Sequence, residues 1–194
     1  MALRRGFKTE ANSIAREIRD ELGLGSIAPL DPWKLATHLD IPVIALSSMR
    51  TLAPTAYRHF SLINPSEFSA VTVFRGTRRL IVHNDSHSKG RQATDISHEI
   101  SHGLLMHPAK PALDHTGCRN WDKDLEDEAN WLAYALLISD EAALHIVRNR
   151  ISEEQAMMIY GVSRPVLTMR IAVTGAHTRV ARARRYYASR RSTN

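Results

Sequence analysis

Two histidines and a glutamate in the middle of the chain have the spacing of a metal-binding helix. Residues 95–107 read DISHEISHGLLMH and contain His98, Glu99 and His102 in an H-E-x-x-H motif. Residues four apart share one face of a helix, so both histidines can hold one metal ion. Glu99 flanks that face, where it can reach a water molecule on the metal. The alternative is an ordinary amphipathic helix that carries these residues by chance.

A second helical pattern supplies the third ligand that a catalytic zinc ion needs. Residues 125–137 read LEDEANWLAYALL. Glu126 and Asn130 share a helix face, so Glu126 can complete a His-His-Glu site while Asn130 accepts the ring N–H of a ligand histidine. Glu128 is the competing ligand. It points about 200° away from Glu126 around the helix, and we interpret it as a solvated charge.

Other polar residues near the two motifs have weaker patterns. His107 is rotated about 140° around the helix from the second candidate ligand, and we interpret it as structural. His115, in the loop between the helices, and Tyr134, two turns beyond the third candidate ligand, are candidates for stabilising an oxyanion. A core or surface role is the alternative for each. His115 and Cys118 also form a candidate metal pair, although an isolated loop thiol is more often a bystander.

The two motifs together resemble those of the ImmA/IrrE family of metallopeptidases, in which HExxH is followed by ExxAN on a second helix. The segments HEISHGLLMHP and LEDEANWLAYALL carry this resemblance, which covers roughly residues 10–175. It extends outward to these positions: 81–84, Arg91, 161–163 and Arg170. One departure is Ser139, where family members often carry proline; it affects a helix end and leaves the ligands in place.

The resemblance implies zinc ligands at His98, His102 and Glu126, with Glu99 as the general base of a zinc endopeptidase. Such a base takes the proton of the attacking water and passes it to the leaving amine. The implied fold is α+β and zincin-like: mainly helical, with a small sheet or hairpin beside the active-site helix and a helical C-terminal segment. Similar proteins cut helix-turn-helix transcriptional repressors after stress or DNA damage, so the implied partner is such a repressor.

The bulk composition is that of a protein without membrane segments. The chain has 194 residues, 43% of them hydrophobic, and one cysteine, Cys118. No apolar run approaches the roughly 18 residues that cross a bilayer, and the N-terminal residues lack the apolar stretch of a signal peptide. A single cysteine excludes an internal disulfide framework and favours a reducing compartment. We therefore predict a cytoplasmic location.

The positive charge is concentrated at the C-terminal end of the chain. Of the net charge of +6, six arginines and no acid lie in residues 175–194. Arg182, Arg184 and Arg185 are candidates for contact with nucleic acid phosphates, and a disordered solubilising end is the alternative. We predict three parts: a metallopeptidase domain over 1–150, a helical hairpin over 151–174 and a flexible basic tail over 175–194.

The N-terminal half has patterns of both helix and strand. Apolar spacing predicts a helix over residues 9–22, and Asp31-Pro32 predicts the start of another. The remaining predictions are a strand at 41–46, a loop at 47–66, and a hairpin of residues 69–74 and 79–83. One hairpin strand is our candidate platform for extended substrate. The motif helix is predicted to begin between Ser88 and Arg91 and to be anchored in the core by Leu104, Leu105 and Met106.

The C-terminal half is predicted to be helical. Residues 140–149 form one helix, and residues 152–155 read SEEQ, a capping box that opens the next. The turn at residues 161–163 and the helix at 164–173 permit two interpretations: the core of a DNA-binding helix-turn-helix, or a hairpin packed on the protease. The apolar residues favour packing: Met157, Met158, Val166, Leu167 and Ile171.

Two other functions are compatible with these patterns. A DNA-binding regulator with a structural or vestigial metal site is supported by the turn at residues 161–163 and by the C-terminal arginines. A toxin–antitoxin or phage-linked module that uses the fold for binding alone is the other. DNA binding that survives chelation and Glu99→Gln, without any proteolysis, favours the regulator, whereas no residue distinguishes the binding module from the endopeptidase.

Overall fold

The computed structural model describes residues 3–76, 78–108 and 122–191. Its first elements are α1 (Phe7–Glu21), α2 (Pro32–His38), β1 (Val43–Ala45), α3 (Pro54–Arg58), β2 (Ala70–Arg75) and β3 (Arg78–His83). They are followed by α4 (Lys89–Leu104), α5 (Lys123–Leu137), α6 (Asp140–Arg148), α7 (Glu153–Tyr160), α8 (Arg164–Val173) and α9 (Ala176–Arg191). The fold is therefore α+β and mainly helical, as predicted.

A small sheet packs beside α4 and has the strand order β1-β3-β2. β1 runs parallel to β3, whereas β2 and β3 form the predicted antiparallel hairpin, with Thr72 opposite Ile81. Partners in register share a face, and on this face Ala70 and Ile81 are buried. β2 is an edge strand of the sheet in the described part of the chain, so one of its edges is open to a further strand.

Residues 47–66 were predicted to be a loop, and this prediction is wrong. The segment consists of α3 and short turns of tighter or wider helix: Leu46–Met49, His59–Ile63 and Pro65–Glu67. The buried amide of Asn84 stabilises them, because its Nδ2 lies 2.8 Å from the carbonyl of Phe60 and 3.0 Å from that of Phe68. A side chain outside the segment therefore supplies order that the apolar spacing within it does not indicate.

Two clusters of buried apolar side chains form the core, and α5 contributes to both. The first cluster joins α1, α2, α4, α5 and the sheet, and its fully buried members include Phe7, Leu35, Ile96, Ile100 and Leu132. The second joins the end of α5 to the helices that follow, and includes Leu137, Ile138, Ala142, Val166 and Leu167. Burial of this apolar surface is the main force that fixes α4 against α5.

Two buried arginines bind the C-terminal end of α5. Arg19 of α1 donates to the carbonyl of Leu136 at 2.7 Å, and Arg170 of α8 donates to the carbonyl of Ile138 at 2.8 Å. Burial lowers the pKa of Arg19 to about 10, so its guanidinium stays charged at neutral pH. These cations satisfy carbonyl groups that the helix itself leaves unpaired and complement its dipole.

The C-terminal helices pack on the rest of the protein. Ser152 and Gln155 form the predicted capping box. A Cβ atom built on Gly90, in the first turn of α4, would lie 2.9 Å from the carbonyl carbon of Val162. The turn at residues 161–163 therefore contacts the motif helix, which favours the packed hairpin. Val166 and Leu167 are buried as predicted, whereas Met158 is 81% exposed.

The segment predicted to be a flexible tail contains a helix. α9 covers residues 176–191, and its first part packs through the buried Ala176 and Val180. The described residues after position 180 whose side chains are placed are exposed on all sides. Among the described helices, none has the length and apolar content to cross a membrane.

Candidate metal centre

α4 presents two histidines on the side opposite its buried apolar residues. Ile96 and Ile100 are fully buried and hold the helix against the core. Their burial directs His98 and His102 towards α5, where the two Nε2 atoms lie 3.0 Å apart. The helix begins at Lys89, within the predicted window of residues 88–91. The i, i+4 spacing has thus placed two metal-binding nitrogens together.

α5 brings a carboxylate to the same point. Its N-cap is Asp122, whose side chain accepts from the backbone N–H groups of Asp124 and Leu125. Glu126 Oε2 lies 3.1 Å from His98 Nε2, and Oε1 lies 3.6 Å from His102 Nε2. One ligand atom from each of these three residues therefore falls within 4.8 Å of the other two.

The electrostatics of this cluster favour a positive charge. Burial raises the pKa of Glu126, but hydrogen bonds and charges from His102 and His98 outweigh burial, and the carboxyl has a pKa far below its ordinary value. Burial lowers the pKa of His98, but the hydrogen bond to Glu126 and the charges of Glu99 and Glu126 raise it above the ordinary value. An ionised carboxylate facing two imidazoles attracts a cation, whether a proton or a metal ion.

The residues fit a zinc ion. Tetrahedral zinc with bonds of about 2.0–2.1 Å separates its ligand atoms by about 3.3 Å. The two histidine nitrogens lie 3.0 Å apart, and the two oxygens of the Glu126 carboxylate lie 3.1 and 3.6 Å from one nitrogen each. Asn130 Oδ1 lies 3.1 Å from His98 Nδ1; because an amide oxygen only accepts, Nδ1 carries the proton and Nε2 presents its lone pair. This is the contact predicted for Asn130.

Glu99 lies beside the three ligands and contacts the sheet. Thr72 of β2 donates to Glu99 Oε2 at 2.5 Å. Both residues are half-buried, so the carboxylate is held while remaining open to solvent. The role of Thr72 was not predicted from the sequence. Only the alternation of β2, which places Thr72 on the face shared with Ile81, indicates that it points towards α4.

Glu128 is not the solvated charge that we predicted. Its side chain is 8% exposed and forms an ion pair with Arg4 at 3.0 Å. Glu128 does point away from Glu126, but the N-terminal residues cover that side of α5. His107 lies between His102 and Glu128. Its Nδ1 is 2.9 Å from His102 Nδ1, and its Nε2 is 3.7 Å from Glu128 Oε2.

The candidates for oxyanion stabilisation have no demonstrated role. Tyr134 is half-buried, and burial followed by the charge of Asp95 raises the pKa of its phenol. Asp95 lies about one helical turn before His98 on α4, so Tyr134 faces the beginning of that helix. Its predicted role stays a prediction. His115 and Cys118 lie outside the described residues.

The helix end after His102 differs from the sequence prediction. Leu104 and Leu105 pack against the core, but Met106 is 88% exposed. Met106 has a φ of 51°, a left-handed conformation that ends the helix. The chain therefore turns back at Met106, and its side chain points into solvent.

The C-terminal arginines lie outside the metal centre. Arg182, Arg184 and Arg185 of α9 are exposed. Arg184 also donates to the carbonyl of Arg148, at the end of α6, at 3.2 Å. Within the described chain these three guanidinium groups form no ion pair.

Comparison with protein families matches residues 36–172 to the IrrE N-terminal-like domain, a metallopeptidase family. The matched region includes His98, Glu99, His102 and Glu126 and covers more than half of the chain. A comparison with curated proteins found no match. Because the family match extends from α2 into α8 and contains the whole ligand cluster, the chain belongs to the IrrE N-terminal-like metallopeptidase family.

Proposed function

We propose that the protein is a cytoplasmic zinc endopeptidase that cleaves a helix-turn-helix transcriptional repressor and thereby relieves repression under stress or in a mobile element. The observation that supports it is the convergence of His98 Nε2, His102 Nε2 and the Glu126 carboxylate beside Glu99. Membership of a metallopeptidase family supports the hydrolytic chemistry. The repressor as substrate rests on the resemblance to the ImmA/IrrE family.

In this proposal His98, His102 and Glu126 hold the metal, and Glu99 moves protons. A bound zinc ion supplies Lewis acidity, which polarises a peptide carbonyl and acidifies a water molecule. The Glu99 carboxylate takes the proton of the attacking water and delivers it to the nitrogen of the leaving amine. Thr72 holds one carboxylate oxygen, so the other is directed to the reacting water. Asn130 keeps the His98 ring in the orientation that binding requires.

The open edge of β2 fits an extended peptide. Thr72 lies on this strand, so a peptide paired with its edge would pass beside Glu99. Main-chain hydrogen bonds from a strand edge select an extended backbone with little dependence on sequence. Val73 and Phe74 are about half exposed at the end of the strand, where they would contact apolar side chains of the substrate. Cleavage would therefore occur at an extended or locally unfolded segment of the repressor.

The test combines metal content with cleavage in three proteins: the wild type, Glu99→Gln and Glu126→Ala. We expect the wild type to bind zinc and to cut the helix-turn-helix repressor that the family resemblance implies. Glu99→Gln should retain the zinc but cut about 100- to 10,000-fold more slowly, because it removes the base alone. Glu126→Ala should lose both properties, because two protein ligands remain.

Zinc is measured by atomic absorption after dialysis, and cleavage by mass spectrometry of the products. A wild type that holds no zinc after reconstitution contradicts the metal centre. A Glu99→Gln variant that cuts as fast as the wild type contradicts the role of Glu99. A zinc-loaded wild type that cuts unstructured peptides but leaves the repressor intact contradicts the repressor as the substrate. The proposed endopeptidase activity would then still stand.

A second activity, contact with nucleic acid, is supported by the distribution of charge. Residues 140–191 contain ten arginines and four acids, so their net charge equals the +6 of the whole protein. Each of these acids pairs with an arginine before position 180: Asp140 with Arg170 and Arg179, Glu141 with Arg16, and Glu153 and Glu154 with Arg164. The exposed arginines of α9 thus remain available for phosphates.

A further inference from the structure

A connected row of polar side chains lies behind His102, on the side away from the other ligands. His102 Nδ1 is 2.9 Å from His107 Nδ1, and His107 Nε2 is 3.7 Å from Glu128 Oε2. Glu128 Oε1 is in turn 3.0 Å from Arg4 Nε. The row therefore runs from a candidate metal ligand on α4, across α5, to the N-terminal segment.

The proton positions along this row follow from the ligand atom. Metal binding uses the Nε2 lone pair of His102, so its Nδ1 carries the proton and donates. His107 Nδ1 must then accept, which places the His107 proton on Nε2. That N–H lies 3.7 Å from Glu128 Oε2, beyond hydrogen-bond distance, so the carboxylate acts on it as a nearby negative charge. Between the two histidines the donor and acceptor roles therefore match.

The middle of the row, His107 and Glu128, is shielded from solvent. The side chains of His107 and Glu128 are 7% and 8% exposed. A buried carboxylate needs a compensating charge, and Arg4 provides it. Arg4 is itself held by a second ion pair, with Glu10 of α1 at 2.7 Å. The position of Glu128 is therefore determined by residues of the first helix and the segment before it.

The end of α4 explains how His107 reaches this position. The N–H of His107 donates to the carbonyl of His102 at 2.9 Å, and that of Met106 donates to Gly103 at 3.1 Å. With Met106 in the left-handed conformation, this pair of bonds forms a Schellman motif. The backbone of His107 is thus bonded to the same residue that its side chain contacts.

We propose that His107 is a positioning residue for the metal ligand His102, and that Glu128 and Arg4 hold His107 in its accepting orientation. The proposal rests on the proposed metal centre. It gives each ligand histidine its own partner: Asn130 for His98 at 3.1 Å and His107 for His102 at 2.9 Å. Such partners fix the ring and make it a better ligand, and their loss typically weakens metal binding about 10- to 100-fold.

The first experiment measures the zinc dissociation constant by competition with a chromophoric chelator. His107→Leu removes the acceptor at nearly constant shape, and we expect zinc binding to weaken about 10- to 100-fold. His107→Asn places an amide oxygen near the position of Nδ1, so its affinity should stay close to the wild-type value. Met106→Ala is the matched control, because it changes the exposed side chain of the preceding residue and leaves His107 in place.

The second experiment is a double-mutant cycle with Glu128→Leu. If Glu128 acts through His107, Glu128→Leu weakens zinc binding in the wild-type background and has no further effect in His107→Leu. Additive losses would overturn the role of Glu128. Melting temperatures of the metal-free variants identify any variant that has lost its fold. If His107→Leu is such a variant, the zinc affinity of His107→Asn tests the proposal.

The outcomes distinguish this proposal from the metal centre itself. Zinc bound by the wild type and held equally well by His107→Leu overturns the role of His107 and retains the site. Equal weakening in His107→Leu and His107→Asn also overturns it, because the accepting atom would then be irrelevant. A wild type that binds no zinc overturns both proposals.

Discussion

Thr72 of the sheet contacts the proposed base, because its hydroxyl lies 2.5 Å from the Glu99 carboxylate. A hydroxyl that donates to a carboxylate oxygen fixes the orientation of that oxygen. It also restricts the rotation of the glutamate side chain. Thr72 is therefore a positioning residue for the proposed base.

We expect Thr72→Val to slow cleavage and to leave metal binding unchanged. Valine preserves the shape and suits a strand but removes the donor. A hydrogen bond to a charged group contributes about 1.5–3 kcal/mol, which corresponds to a roughly 10- to 100-fold lower kcat. Kinetics on the repressor, with zinc content measured in parallel, provide the comparison.

Thr72→Ser is the matched control, because it retains the hydroxyl, and it should restore most of the rate. KM should change little in either variant. Equal rates for the valine and serine variants would show that the hydroxyl has no part in the reaction. Loss of zinc from the valine variant would show that Thr72 supports the site as a whole.

At this scale the sequence predicts contacts within helices and misses contacts between elements. The spacing of His98, His102, Glu126 and Asn130 gives their shared faces, because helical geometry alone determines them. The contacts of Thr72 and Glu128 depend on how β2 and the N-terminal segment pack, which no local period encodes. Glu128 was misinterpreted for this reason: its helix face was right, but what covers that face was not predictable.

At the scale of elements, α4 is held at both ends by close contacts. A Cβ on Gly90 would meet the backbone of Val162 and Ser163 at 2.9–3.0 Å, and a Cβ on Gly103 would overlap the guanidinium of Arg79. Glycine at position 90 lets the backbone of the turn at residues 161–163 approach the helix, whereas the group beside Gly103 is the end of a flexible side chain. The position of the ligand histidines thus depends on a glycine that carries no chemistry.

We expect Gly90→Ala to destabilise the protein by up to about 2 kcal/mol, because overpacking usually costs about 1–3 kcal/mol. The clash involves backbone atoms, so no side chain can rotate away. This loss should outweigh the roughly 1 kcal/mol that alanine gains over glycine within a helix. Chemical denaturation of the metal-free protein measures the free energy of unfolding.

Gly25→Ala is the control, because a Cβ there meets nothing within 4 Å and the backbone is not left-handed. That substitution should be neutral or stabilising by about 0.4–1 kcal/mol. If Gly90→Ala and Gly25→Ala were equally stable, the turn at residues 161–163 would not be in tight contact with α4.

Element boundaries were predictable where a local signal marks them. Asp31 caps α2 and Ser152 caps α7, each through its own side chain, so these helix starts are visible in the sequence. Residues 47–66 lack such signals, and their order comes from the amide of Asn84. α9 was missed because its arginine-rich pattern has no apolar face after Val180.

At the scale of the whole molecule, the protein has a neutral body and a positively charged C-terminal part. A duplex gains affinity from such a surface by releasing counterions, and the effect weakens with salt. Removing residues from 175 onward would also remove the buried Ala176 and Val180, so point substitutions are the appropriate test.

We expect the triple substitution of Arg182, Arg184 and Arg185 by glutamine to weaken DNA binding and to lower its salt dependence. Each lost phosphate contact reduces the slope of log K against log salt by about 0.9, so three contacts correspond to a decrease of about 2.7. Peptide cleavage should be unchanged. Fluorescence anisotropy with a labelled duplex at several salt concentrations gives the slope.

Substitution of three other exposed arginines by glutamine is the matched control: Arg5, Arg50 and Arg58. It removes the same net charge from the body of the protein. A similar loss of affinity in both triple variants would show a general effect of charge and contradict a specific surface on α9. The predicted division at residues 150 and 175 stays a prediction.

The buried arginines at the end of α5 have a consequence for the order in which the chain can fold during synthesis. The carbonyls of Leu136 and Ile138 receive their donors from Arg19 and Arg170, one made long before α5 and the other well after it. Until α8 has left the ribosome, the end of α5 has only one of its two donors, Arg19. The helix that bears Glu126 therefore receives its last buried partner late in translation.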